Sequence, residues 1–124
     1  MPTLYGVFRS RASRPIWLLY ELGEAFDHVP VIQAYRLAQA SAPDAPLNTT
    51  SASFLTVNTQ GQVPAYVEGD LVLTESLSIT NHIARTRGGP LGAQTPAEQA
   101  LIDQWTLLAV TAVETPALEI LNVQ

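Results

Sequence analysis

Residues 3–8 place Leu4, Gly6 and Phe8 on one side of an extended segment and Tyr5 and Val7 on the other. A run that is apolar on both sides predicts a central strand buried on both faces. The polar residues 9–13 then lead into Pro15-Ile-Trp-Leu-Leu-Tyr-Glu-Leu. This predicts a helix with Ser13 placed to cap it, Pro15 in its first turn and Gly23 stopping it. Asp27-His-Val-Pro-Val-Ile predicts a second short strand, parallel to the first, because the intervening helix is what a right-handed crossover requires.

Between residues 33 and 59 the pattern fades. Residues 35–40 predict a turn or two of helix, and 41–53, rich in Ser, Pro, Thr, Asn and Asp, predict a mobile surface excursion. The pattern returns with Val63-Pro-Ala-Tyr-Val-Glu, Gly69-Asp70 and Leu71-Val-Leu, two apolar runs joined by a tight-turn pair, which predict an antiparallel hairpin. Glu75 and Ser76 open a helix that turns Leu77, Ile79, Thr80, Ile83 and Ala84 inward and ends on Arg85, Arg87 and Gly88-Gly89. After a Gly/Pro linker, a long helix carries Leu101, Trp105, Leu108 and Ala112 on one stripe, with a kink expected at Pro116. Too little chain follows to cover that stripe, so it is expected to rest on the preceding domain or on another molecule.

The order βαβ then ββα is that of the thioredoxin fold. The sequence therefore predicts an α/β protein: a thioredoxin-like domain over 1–87, a linker over 88–95, and over 96–124 the first helix of a truncated all-α segment.

Composition narrows the chemistry. The 124 residues are 47% hydrophobic and 14% charged, which favours one packed core over disorder. Six arginines, no lysines and eleven acids give a net charge of -5, which argues against a sequence-independent grip on nucleic acid or anionic lipid. No signal peptide and no apolar run of membrane-spanning length is visible, so the expectation is a cytoplasmic protein without a membrane partner. The absence of cysteine excludes disulfides, thiolate zinc sites and disulfide exchange by the chain's own sulfur. Any thiol must come from a ligand. His28 and His82 stand far apart and away from acids; they read as ordinary surface or helix residues, and no metal is expected.

Val63-Pro64 sits at the start of a strand, where proline removes a ladder donor. Two readings stand: a trans proline on an edge strand, or the cis bond that in the thioredoxin fold turns the preceding residue's N–H and C=O toward an extended ligand. Glu75-Ser76 likewise reads either as a plain helix cap or as an anion site at a helix start.

Four pieces of the sequence, covering about its first 90 residues, resemble the serine-type classes of the glutathione S-transferase family. Ser10-Arg-Ala-Ser-Arg14 with the helix from Trp17 to Gly23 resembles their active-site loop. Asn58-Thr-Gln-Gly-Gln-Val-Pro-Ala-Tyr66 resembles Asn-Pro-x-Gly-Lys-Val-Pro-x-Leu, and Leu73-Thr-Glu-Ser76 resembles Leu-x-Glu-Ser. Gln104-Trp105 recurs in the family's first C-terminal helix.

The resemblance implies glutathione as co-substrate, a small electrophile as second substrate, and a homodimer. It implies that Val63, with Pro64, offers backbone groups to the cysteinyl unit. Ser76 takes the γ-glutamyl carboxylate, and Glu75 the α-ammonium. Ser10, near the positive end of the first helix, is the candidate to stabilise the thiolate, with Ser13 as the alternative donor and otherwise a cap. Phe8 stands where other classes have a catalytic tyrosine. Gln62 replaces the usual lysine that meets the glycyl end. Arg9, Arg11 and Arg14 read either as charge that attracts the tripeptide or, as is commoner for arginines around a loop, as solvated charge, with Arg14 anchoring the helix. Two functions remain open: a glutathione transferase, or a non-catalytic module that keeps the fold for glutathione binding or protein association.

Overall fold

The computed structural model describes residues 1–123. Among these, β1 (Thr3–Tyr5), β2 (Asp27–Val29), β3 (Ala65–Glu68) and β4 (Leu71–Thr74) form one sheet in the order β2-β1-β3-β4. β1 runs parallel to β2 and antiparallel to β3, and β3 pairs antiparallel with β4. The turn between the last two is made by Gly69, at φ 58°, and Asp70. This is the thioredoxin-like arrangement that the element order predicts.

The alternation along β1 sets up two cores. Leu4, paired with Tyr66, faces α1 (Ser13–Leu22) and α3 (Ser76–Arg87), and packs with Ile16, Leu19, Ile79 and Ile83. Tyr5, paired with Ala65, faces the other way. There Val31, Ala65 and Phe54 of the short α2 (Ala52–Leu55) make a smaller cluster.

The structure shortens two predicted strands. β1 ends at Tyr5, not at residue 8, because Gly6 takes φ 139° and the start of α1 closes on it: a Cβ there would lie 2.6 Å from the Ala12 Cβ. Phe8, expected to point inward, is exposed. β2 ends at Val29 because Pro30 has no N–H for the ladder. The turn of helix expected over 35–40 is a 3₁₀ turn at Ala34–Arg36.

The expected surface excursion is tied down by Asn48, which is buried. Its amide donates to the carbonyls of Ala40 and Pro46 and accepts from the Thr50 N–H and hydroxyl. α2 begins inside the stretch expected to be loop, and Phe54 anchors it.

Past the 3₁₀ turn Gly89–Leu91, Thr95 caps α4 (Pro96–Leu108) by accepting the Glu98 N–H at 3.1 Å. A π-helical stretch, Ala109–Glu114, links it to α5 (Thr115–Asn122), whose first turn holds Pro116. The wide turn is how this helix meets a residue that cannot donate to the preceding turn. The tail does not turn its predicted stripe toward the domain. Leu101, Trp105 and Leu108 are exposed, while Ile102, Thr106, Glu114 and Leu118 are half-buried. No helix among the described residues is long and apolar enough to cross a membrane.

Candidate active site

The loop after β1 is organised by Ser10. Its hydroxyl donates to the Val7 carbonyl at 2.7 Å and accepts the Ala12 N–H at 3.0 Å. The Ser13 and Arg14 N–H groups donate to the carbonyls of Ser10 and Arg11. Ala12, buried against Leu4 and Ile16, is thus the N-cap position of α1, and no side chain caps it. Ser13, expected as the cap, is instead an exposed residue of the first helical turn.

A second loop brings Val63 and Pro64, joined by a cis peptide bond, to the start of β3. Buried Asn58 fixes this loop by donating to the Gln62 carbonyl at 2.8 Å and accepting the Gln60 N–H at 3.0 Å. Gly61, at φ 61°, packs so closely that a Cβ would lie 2.9 Å from the Thr49 carbonyl oxygen. A residue without a Cβ that takes the left-handed backbone, glycine, is required here.

The third piece is the start of α3. Glu75, its N-cap, is the one non-glycine residue with positive φ among the described residues, at 67°. Such a backbone costs on the order of 1–3 kcal/mol and persists where its surroundings over-determine it. Ser76 beside it is buried, and its hydroxyl accepts from the Arg14 guanidinium at 2.9 Å. Arg14 also lies 3.3 Å from the Glu114 carboxylate, which accepts from Arg11 Nε at 2.6 Å. Arg14, expected to anchor its own helix, therefore ties α1 to α3 and to the tail. The hydrogen bond from Arg11, helped by the charge of Arg14, holds the Glu114 carboxyl below the usual glutamate range against the opposing effect of burial.

These three pieces open onto one cleft of about 1880 Å³. Ser10, Gln62, Val63, Pro64, Glu75 and Ser76 all line it; Ser13 does not. The wall facing them comes from the tail and includes Thr106, Leu107, Val110, Val113 and Leu118.

Four residues had more to do than the sequence suggested. Asn58 and Glu114 were given no role there, although Asn58 two residues before Gln60-Gly61 is a recognisable turn former. Glu114 carried no local signal, because its partners are about a hundred positions away. Neither histidine is idle. His82 Nε2 lies 3.0 Å from Glu68, whose carboxyl is held low by His82 and by Arg87, and His28 Nε2 lies 2.6 Å from the Gly6 carbonyl oxygen. Among the described residues no three His, Cys, Asp or Glu side chains gather as a metal site would need.

Residues 2–85 match the glutathione S-transferase N-terminal domain family. A glutathione S-transferase of Hyoscyamus muticus is 46% identical over 55 residues, covering 42% of this chain and 26% of that protein. Glutathione S-transferase F9 of Arabidopsis thaliana is 26% identical over 120 residues, covering 94% of this chain and 51% of that protein. Among solved structures, the theta class glutathione S-transferase of Xanthomonas axonopodis pv. citri with glutathione bound superposes with a TM-score of 0.70. Its sequence is 26% identical, with 90% of this chain and 49% of that chain covered. The chain thus spans about half the length of the F9 relative and of this bacterial enzyme, and a smaller share of the Hyoscyamus protein.

Proposed function

We propose that this chain, which belongs to the glutathione S-transferase family, binds glutathione in the cleft and activates its thiol for attack on an electrophile. The observation that carries the reading is that Ser10, Val63 and the Glu75-Ser76 pair all line a single cleft. Glutathione is an acidic tripeptide with a free amino group at one end. Ser76 supplies a hydroxyl and the first N–H of α3 to the γ-glutamyl carboxylate, with the Arg14 guanidinium 2.9 Å from that hydroxyl adding positive charge. Glu75 pairs with the α-ammonium. Val63 extends the ligand as a short strand through its backbone, and Gln62 meets the glycyl end.

Extended from those anchors, the cysteinyl sulfur comes to Ser10. The Ser10 hydroxyl donates to the Val7 carbonyl. On binding, the hydroxyl turns to donate to sulfur while still accepting from the Ala12 N–H, which polarises it. Lowering a thiol pKa from about 8.5 to about 6.5 requires about 2.7 kcal/mol. A hydrogen bond to a charged acceptor supplies about 1.5–3 kcal/mol, and the adjacent N-terminus of α1 about 0.3–1 kcal/mol. The tail wall, with Leu107, Val110, Val113 and Leu118, suits an apolar electrophile. A homodimer in the cytoplasm completes the reading.

Two substitutions test it. Ser76→Ala is expected to weaken glutathione binding about 10-fold in calorimetry, since a donor to a charged group is lost. Ser10→Ala is expected to lower conjugation of a chromogenic electrophile about 10-fold or more while affinity changes little. The second reading, a binding module without catalysis, is favoured by the engagement of the Ser10 proton with Val7. Unchanged turnover in Ser10→Ala would decide against a catalytic Ser10.

A further inference from the structure

His28 is the central residue of the edge strand β2, in register with Leu4 of β1. Its Nε2 lies 2.6 Å from the carbonyl oxygen of Gly6. A carbonyl oxygen only accepts, so Nε2 carries the proton and donates, whether the ring is neutral or charged. Aromatic rings hold the imidazole on two sides: Phe8 edge-on at 5.1 Å between centroids, and Phe26 tilted at 6.3 Å. The ring is therefore fixed as well as bonded.

The atom it grips lies at a sensitive place. Gly6 leaves the ladder at φ 139°, and a Cβ there would lie 2.6 Å from the Ala12 Cβ and 3.7 Å from the Ser10 hydroxyl. The Gly6 carbonyl belongs to the peptide plane that continues into Val7, and the Val7 carbonyl is the group that holds the Ser10 proton. The His28 bond and the group that competes with a ligand for that proton thus lie on consecutive peptide units, joined at the Val7 Cα.

We propose that His28 is a positioning residue: by donating from Nε2 to the Gly6 carbonyl it sets the loop that presents Ser10, and so sets how readily the Ser10 hydroxyl turns from Val7 to a bound thiolate. The inference rests on the reading of Ser10 given above. It assigns His28 no contact with the ligand. The bond needs only the Nε2 proton, which both ring forms carry, so the role does not depend on the charge of the imidazole.

The experiment measures, on this chain with glutathione bound, the fraction of ligand in the thiolate form by its ultraviolet absorbance near neutral pH, with the dissociation constant from calorimetry. His28→Phe keeps a ring between Phe8 and Phe26 but has no donor. His28→Asn carries an amide too short to reach Gly6 and stands in if the first variant does not fold. His28→Gln places an N–H near the position of Nε2. The donor-deficient variants are expected to lower the thiolate-to-thiol ratio about 3-fold, the effect of one net hydrogen bond, with affinity changed less than about 2-fold. His28→Gln is expected to retain it. A thiolate fraction unchanged in His28→Phe or His28→Asn overturns the proposal, and so does a His28→Gln as low as they are, since packing of the ring would then be the cause. Ser10→Ala separates the two levels. If it lowers the thiolate fraction and His28→Phe does not, only the role of His28 falls; if Ser10→Ala changes nothing, the reading of Ser10 falls and takes this one with it.

Discussion

The βαβ–ββα unit and the helical tail carry hydrophobic patterns of similar clarity, yet the two patterns end differently. In the unit, apolar periodicity becomes burial: Leu4, Leu19, Ile79 and Ile83 are fully enclosed. In the tail, Leu101, Trp105 and Leu108 recur at helical spacing and remain 52%, 59% and 43% exposed. Beside the half-buried Ile102 and Leu118, polar contacts hold the tail. Asn81 donates to the Thr106 hydroxyl at 3.1 Å, and Glu114 sits between Arg11 and Arg14. Periodicity says that a face is made to be covered; it does not say by what. Docking of a helix onto an independent unit is decided by side chains of both, and those lie far apart in the sequence.

The sharpest way to break this contrast is in the core. Leu19→Ala removes a fully buried side chain between the sheet and α3, and is expected to cost about 3 kcal/mol of unfolding free energy in denaturant titration. A loss below about 1 kcal/mol would mean that the cluster is loosely packed and that the two regions differ less than their burial indicates.

Glu114→Gln tests the polar docking. It is expected to loosen the tail by about 0.5–1 kcal/mol, read as faster proteolysis in the linker and a weaker dependence of that rate on salt. The pH response follows from the direction of the shift. Because the folded carboxyl is held below its ordinary value, its contribution is complete above the ordinary glutamate range and is lost as pH falls through the folded value. Acidification below about pH 4 should therefore release the tail in the parent chain, while the Gln variant responds little. The same release in both would place the docking elsewhere.

Trp105→Ala should do least. A side chain that is 59% exposed is expected to change stability by less than about 0.5 kcal/mol when truncated. A loss above about 1 kcal/mol, dependent on protein concentration, would show that a second copy covers the stripe in solution.

Much of this was legible along the chain. The order of elements, the hairpin at Gly69-Asp70 and the inward face of α3 follow from local pattern, because each is decided within a few residues. The strand ends were not legible. That β1 stops at Tyr5 depends on Ala12 pressing against Gly6, and that the stretch around Asn48 is pinned depends on four hydrogen bonds made by one buried amide. Of the residues that line the cleft, the motifs singled out Ser10, Val63, Glu75 and Ser76. Their mutual arrangement could not be read from the motifs, and neither could the partners that hold them, Asn58, Arg14 and Glu114, since those contacts join separate elements.

Glu75 separates what is good for folding from what is good for recognition. Its carboxylate stands exposed at the mouth of the cleft on a backbone that suits glycine, so the side chain adds little packing and the conformation works against it. A search for thermostable variants would favour Glu75→Gly and would reward the removal of the group proposed to meet the ligand's ammonium. At this position, selection for robustness and selection for binding pull in opposite directions, and a glutamate that persists there in a stability-optimised library would be a signature of use.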